Sequence, residues 1–398
     1  MTLWSELRSP TAALLYITVA LCLVRSRDQP SVELTLHNTT VSVVPGDVAL
    51  LLLAVAAIRE LARTPLPRIA WAAILTGAVF CALVVGTAIG NGQAAVVAAV
   101  KVSELAALGL GLLAFLRGPR RVEGLVDVLL LFTTIAGVVG VIKFVTGGGG
   151  RQASFLGEHD FAALATLTLL YGLVLFFERR RLSRAALAVV AGSLGCVLGS
   201  ALASLLGLYL GAALVVVAAA IARRLDVRAV VVTLLALAAV TGGTLSIRAG
   251  DLSFLQAWFG KPETRPGEYA ASWSQRLIFA YIGGRVFLAH PLFGSGWYPE
   301  LPPKVFAVYL PDARRRFSDQ PPRYFPPPNR DFIPQQTYDQ VLYELGIVGG
   351  LALLAFLVSV GRACVTAARR GGQLALLPAA WFAAALGAIA GEGLFGGT

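Results

Sequence analysis

The chain has 398 residues, 57% of them apolar and 14% charged, with a formal net charge of +11. Ordinary soluble domains run at roughly 45–50% apolar and about 25% charged. This surplus of apolar residues is too large for one core to hide, and it comes in long blocks separated by short arginine clusters. A soluble enzyme, a disordered chain and a secreted disulfide scaffold are therefore excluded. The blocks do not alternate polar and apolar residues, which excludes a porin-like barrel.

A helix needs about 20 apolar residues to cross the hydrocarbon. In chain order the sequence predicts spans at 10–24, 41–58, 69–89, 94–116, 124–145, 160–177, 185–199, 204–222, 229–247, 341–361 and 374–394. The first block has no small-x-small cleavage site after it and reads as a span. The stretch 185–222 is too long for one crossing and is divided at Gly199-Ser200, where a tight turn fits. The expected fold class is an all-α polytopic membrane protein of about eleven (ten to twelve) transmembrane helices with one large, partly helical extracytoplasmic loop. The expected organisation is a membrane bundle of about nine spans over 1–247, the loop over 248–340, and C-terminal spans over 341–398.

Orientation follows from the basic residues. With the N-terminus in the cytoplasm, the inner segments carry seventeen arginines, from Arg8 to Arg370, against Arg25, Arg27 and Arg151 in the short outer loops. The stretch 248–340 then faces outward, carrying eleven Lys/Arg and eight Asp/Glu. Connections this long are uncommon unless functional, so the chemistry is expected there. Cys22, Cys81, Cys196 and Cys364 stand singly in or beside apolar blocks and read as small packing residues.

Within that stretch, Ser274-Gln275-Arg276-Leu277-Ile278-Phe279 is followed by His290-Pro291-Leu292-Phe293-Gly294-Ser295-Gly296-Trp297, and later by Gln335-Gln336-Thr337-Tyr338 through Glu344-Leu345-Gly346 to Gly349. Upstream lies Ser154-Phe155-Leu156-Gly157 with Ala162-Ala163. In order, spacing and topological side these segments resemble the O-antigen ligase and polymerase family, over roughly residues 120–361. The resemblance implies transfer of a glycan from a polyprenyl-diphosphate carrier to a glycan or lipid acceptor at the outer face of a bacterial plasma membrane, without metal ion or cofactor. Two departures stand out. Gln335 and Gln336 occupy the positions of the ligases' His and Asn, and the turn Gly199–Ser204 lacks the arginine many ligases carry. A polymerase is therefore slightly favoured over a ligase.

Such a displacement needs stabilisation of charge on the departing diphosphate and orientation or deprotonation of an acceptor hydroxyl. Arginine suits the first task, being permanently charged and bidentate toward phosphate. Arg276 leads, followed by Arg285 and the run Arg314, Arg315, Arg316. If 273–290 is helical, Arg276, Gly283 and His290 share a face, and Arg285 lies about 180° from Arg276 unless Gly283-Gly284 breaks the helix. The alternative for each arginine is pairing with lipid headgroups or loop carboxylates. Gln335 can hydrogen-bond a hydroxyl but cannot take its proton. His290 is thus a candidate base beside a capping role, with His159 and the carboxylates Asp331, Asp339 and Glu268 left open; His37 is the third histidine of the chain. Gln336 and Tyr338 are candidate substrate contacts; Tyr338 and Trp297 otherwise anchor at the interface. Gly294 and Gly296 suit a tight turn. Glu344, at or within a span, either acts in the site or braces the loop against the bundle.

Among intramembrane charges, Lys101 and Glu104 can pair on one helix face, and Lys101 could touch diphosphate from below. Asp127 and Lys143 fall near opposite interfaces. A phosphate loop, a HExxH zinc site and a nucleophile elbow are missing, and Gly147–Gly150 reads as a hinge. Arginines scattered over separate loops fit membrane lipids and phosphate as partners, not nucleic acid. The rival class is a non-enzymatic transporter or lipid-handling protein, in which Lys101, Glu104 and Asp127 would form an ion relay.

Overall fold

The computed structural model of the protein describes residues 6–36, 39–64, 66–147, 149–223, 225–248, 268–332 and 337–395. Its helices are α1 (Pro10–Leu23), α2 (Pro45–Arg63), α3 (Arg68–Ile89), α4 (Gln93–Phe115), α5 (Pro119–Thr146), α6 (Glu158–Phe177), α7 (Leu182–Gly199), α8 (Leu202–Ile221), α9 (Val227–Ile247), α10 (Glu268–Ala289), α11 (Pro303–Phe306), α12 (Leu310–Arg316), α13 (Thr337–Arg370) and α14 (Leu377–Phe395). A hairpin of β1 (Val32–Leu36) and β2 (Thr39–Val43) precedes α2.

The protein is an all-α polytopic membrane protein. Each predicted apolar segment overlaps one long helix, and eight helices among the described residues are long and apolar enough to cross a bilayer. α1 and the apolar part of α14 are shorter, and α2 carries Asp47, Arg59, Glu60 and Arg63. The expected span 41–58 needs correction. Residues 41–43 belong to β2, because the β-branched run Thr39-Thr40-Val41-Ser42-Val43 favours a strand, and Pro45 opens the helix at its first turn.

Helices in lipid gain little from hiding apolar surface from one another, so close approach of backbones decides which pairs pack. α6 is the central helix, buried along nearly its whole length against α7 and α8. A Cβ placed on Gly192 of α7 would come within 2.6 Å of the Leu169 amide nitrogen of α6. α8 and α14 meet in the same way, where a Cβ on Gly387 would stand 2.7 Å from Gly207 Cα.

Contacts sort the helix ends into two sets. At one end, Arg25 donates to the Leu156 carbonyl, the Gln152 amide to Leu198 (2.9 Å), and Asn91 Nδ2 to Trp297 (3.1 Å). At the other, Arg181 pairs with Glu123 (3.0 Å), Arg184 with Asp127, and Arg179 with Asp226 (2.9 Å), while Glu178 accepts from the Leu374 amide (2.7 Å). The first is called the loop end below and the second the arginine end. Lys143 donates to the Ser154 carbonyl at 2.6 Å, so it and Asp127 do lie toward opposite ends.

The helix α13 is broken at Gly346, whose φ is 66° and ψ −162°. A break strands amides on one side and carbonyls on the other, and a membrane offers them no water. The segment 291–296 supplies the partners. The Ile347 and Val348 amides donate to the Pro291 and Leu292 carbonyls (2.8 and 3.1 Å), and the Ser295 and Gly296 amides donate to Tyr343 and Glu344 (both 2.9 Å). The crossing is so close that a Cβ on Gly294 would lie 2.2 Å from the Glu344 carbonyl carbon, and one on Gly346 would lie 2.4 Å from that of Leu292. Both glycines also have φ near +70°, which other residues adopt at a cost. Gly294→Ala is therefore expected to destabilise the protein by on the order of 3 kcal/mol, read as a lowered thermal midpoint in detergent. Gly86→Ala, whose Cβ would meet nothing within 4 Å, should leave the midpoint unchanged.

Candidate functional site

Beyond the bundle, 275–332 folds around its own apolar core of Ile278, Ile282, Leu301, Phe306, Phe325 and Phe332, into which α13 inserts Tyr343. Leu301 and Phe332 exchange backbone hydrogen bonds at 2.9 and 3.2 Å, and the Phe332 ring packs on Phe279 and Phe306 with centroids 4.8 and 4.7 Å away. One wall of this core opens as a cleft of about 790 Å³. Its polar groups are Gln275, Glu300, Arg314, Arg323 and Asp331, and its apolar face is built from Phe279, Phe325, Phe332 and the prolines 322 and 326–328. Opposed charges beside aromatic and proline surfaces suit a polyhydroxylated ligand, whose hydroxyls take hydrogen bonds while its C–H faces lie on the rings.

The helix α10 runs unbroken through Gly283-Gly284, starting before and ending just short of the expected 273–290. Arg276 is half-buried on it, next to Gln275 of the cleft. Arg285, nine residues on, lies on the opposite side and pairs with Asp312 of α12 (3.5 Å). Asp312 also takes Arg315 (2.9 Å) and the Tyr281 hydroxyl (2.5 Å). The basic run therefore divides, with Arg314 facing the cleft and Arg315 pairing with Asp312. Arg276 and Arg285 are not brought together.

His290 is exposed just past α10, and its carbonyl accepts the Gly294 amide (2.9 Å). Gly296 is buried against Asn91. Tyr338 is partly exposed on the first turn of α13. Glu344 is fully buried; Gln340 Nε2 donates to its two oxygens at 3.3 and 3.2 Å, and the Tyr298 amide donates as well. These bonds link Tyr298 to α13. Lys101 is held by Asp47 (2.5 Å) and Glu104 (3.3 Å). Gln335, Gln336 and His37 lie outside the described residues, as does the side chain of Glu268.

The turn after α7 forms as expected, with Ser200 in the left-handed conformation. Although it carries no arginine, two come to it from elsewhere: Arg151 Nε donates to the Gly199 carbonyl (3.3 Å) and Arg248 Nη1 to that of Ser200 (3.1 Å). Arg151 also pairs with Glu158 (2.8 Å), beside His159 at the start of α6. Sequence reasoning missed these two arginines at the turn, and it missed Gln275, Glu300 and Arg323 in the cleft. The turn partners stand 48 residues away on either side, a separation no local motif displays. Proline density around Arg323 was the available signal for the cleft. Among the described residues, no three His, Cys, Asp or Glu side chains converge on a metal position.

Residues 187–354 match the O-antigen ligase family, bearing out the resemblance carried by the motifs from Arg276 to Gly349, while the upstream segment Ser154–Ala163 lies outside the match. The match runs from α7 to just past the Gly346 break, taking in the turn, the cleft and its mounting. No curated protein matches the chain.

The Asp312 carboxyl is held below its ordinary value, first by the Tyr281 hydroxyl and then by Arg315 and Arg285; the same bond pushes the Tyr281 phenol up. A depressed carboxylate contributes stability above its unfolded pKa that is lost as pH falls through the folded one, and a raised phenol loses its contribution as pH climbs past its own. Hydrogen exchange over 281–289 and 310–316, corrected for intrinsic rates, should stay low at neutral pH and rise below about pH 4. In Tyr281→Phe exchange should already be faster at neutral pH and the rise on acidification smaller, because the folded carboxyl then lies nearer its unfolded value.

Proposed function

We propose that the protein is an extracytoplasmic glycosyltransferase of a bacterial plasma membrane, passing a glycan from a polyprenyl diphosphate to a hydroxyl acceptor. The observation that carries this reading is the cleft of Gln275, Arg314, Arg323, Glu300 and Asp331, inside the segment that matches O-antigen ligases; Arg276 follows Gln275 in the chain. In the transfer, the bond from the anomeric carbon to the diphosphate oxygen breaks and a bond to the acceptor oxygen forms. Arg276 and Arg314 stabilise the departing charge, and Arg323 with the two carboxylates holds sugar hydroxyls. Arg285 and Arg315 are engaged by Asp312 and shape the loop, while Arg151 and Arg248 supply positive charge at the turn where the family's ligases carry theirs.

Gln335 in place of a histidine favours extension of a polymer over ligation to a lipid acceptor, because the site then works chiefly on the leaving group. His290, exposed beside the loop, remains the candidate for any proton transfer. The transporter reading has less support, since Lys101, Asp127 and Lys143 are each engaged by a local partner.

The purified protein, given a synthetic polyprenyl-diphosphate oligosaccharide, should yield products lengthened by successive repeats in a mass spectrum; a single addition to a foreign acceptor would point to a ligase. Arg276→Ala should lower turnover by about 10²–10³ with the protein still inserted and folded. Lys101→Met should stay within a few-fold of the parent, and the opposite pattern would favour transport.

A further inference from the structure

Away from the loop, a groove of about 610 Å³ runs between α13, α3 and α14 toward the arginine end. Its walls are Ile69 of α3, Leu354, Val358 and Val365 of α13, and Phe382 and Leu386 of α14. Leu354, Val358 and Val365 are about half exposed and follow one another at helical spacing, so they form a single apolar stripe. Gly361 interrupts the wall. A Cβ there would lie 2.9 Å from the Phe382 ring, so its absence lets the two helices close around a notch. Arg362, between Val358 and Val365, and Arg369, beyond Val365, are both exposed and both line the groove. They lie seven residues apart, two turns on the same face and about 10 Å along the axis. Among the described residues no carboxylate pairs with either, unlike Arg179, Arg181 and Arg184 at the same end.

We propose that this groove holds one anionic phospholipid, with an acyl chain along Leu354 and Val358 and the phosphate beside Val365, between Arg362 and Arg369. An apolar slot continuing into two unneutralised guanidinia is complementary to a molecule with an apolar chain and an anionic head. The cations rest at the depth where headgroups lie, if the helix spans the bilayer. A zwitterionic lipid would fill the slot but leave the positive charge uncompensated. The site is independent of the glycan-transfer reading and lies on other elements.

The test is native mass spectrometry of the full chain in detergent, titrated with phosphatidylglycerol and, separately, with phosphatidylcholine bearing the same chains. The parent should retain one phosphatidylglycerol at a concentration about thirtyfold below that needed for phosphatidylcholine. Arg362→Gln/Arg369→Gln should remove that preference, and Val358→Trp, on an exposed position, should weaken both lipids. Equal retention of the two lipids by the parent would overturn the proposal, and so would a preference that survives loss of both arginines. A lipid-free dimer abolished by Val358→Trp would assign the groove to a second copy instead, and would equally overturn it.

Discussion

Hydrocarbon offers a backbone no hydrogen bonds, and the break in α13 at Gly346 is tolerable only because another segment completes it. The turn Pro291–Gly296, crossing the break, takes two carbonyls and two amides that a continuous helix would have satisfied internally. That exchange fixes the segment 275–332 to the bundle. It holds the end of α10, and hence Arg276 and the cleft, at a set height over the helices. Glu344, buried and bonded to Gln340 and the Tyr298 amide, adds a side-chain tie on the same side of the break. The motif glycines are thus mechanical parts: Gly294 and Gly346 face each other where two backbones come closer than any side chain permits.

Charge is distributed over the molecule with a similar division of labour. At the arginine end, Arg179, Arg181 and Arg184 are tied to Asp226, Glu123 and Asp127, which pins neighbouring helices together near their ends. At the loop end, Arg285 and Arg315 converge on Asp312, closing α12 onto α10. Arg314 and Arg323 instead line an open cleft. Counting basic residues in 248–340 could not distinguish these uses, because the carboxylate that separates Arg315 from Arg314 acts through the helical turn that links 312 with 315.

The spans were legible because lipid selects for long apolar blocks and the basic clusters punctuate them, and the turn at Gly199-Ser200 followed from a block too long for one crossing. The hairpin was not foreseen, since a run of β-branched residues raises hydropathy as effectively as a helix does and Pro45 was the only local mark of the boundary. Within the site, the motif around Arg276 and the bracing role open to Glu344 could be read from the chain. The convergence of Arg151 and Arg248 on the Ser200 turn could not, because each arrives from a different loop. The sequence showed an arginine missing from its expected place, and the fold brings two others to that place.

That substitution bears on how the transfer would proceed. A guanidinium built into a turn moves with it, whereas Arg248 is almost fully buried and donates to the Ser200 carbonyl, and Arg151 is also tied to Glu158. Cations held in this way need little reorganisation when negative charge develops on a neighbouring diphosphate, and preorganised charge is the most effective kind in a low-dielectric setting. A site that stabilises its leaving group strongly reaches the transition state with the bond to the diphosphate already long and the sugar carbon electron-poor. Such a carbon accepts a neutral hydroxyl, whose proton is lost late. On that account Gln335, which can orient a hydroxyl but not deprotonate it, is compatible with turnover, and the division between arginines at the turn and arginines in the cleft is where the chemistry of this chain would differ from that of a histidine-bearing ligase.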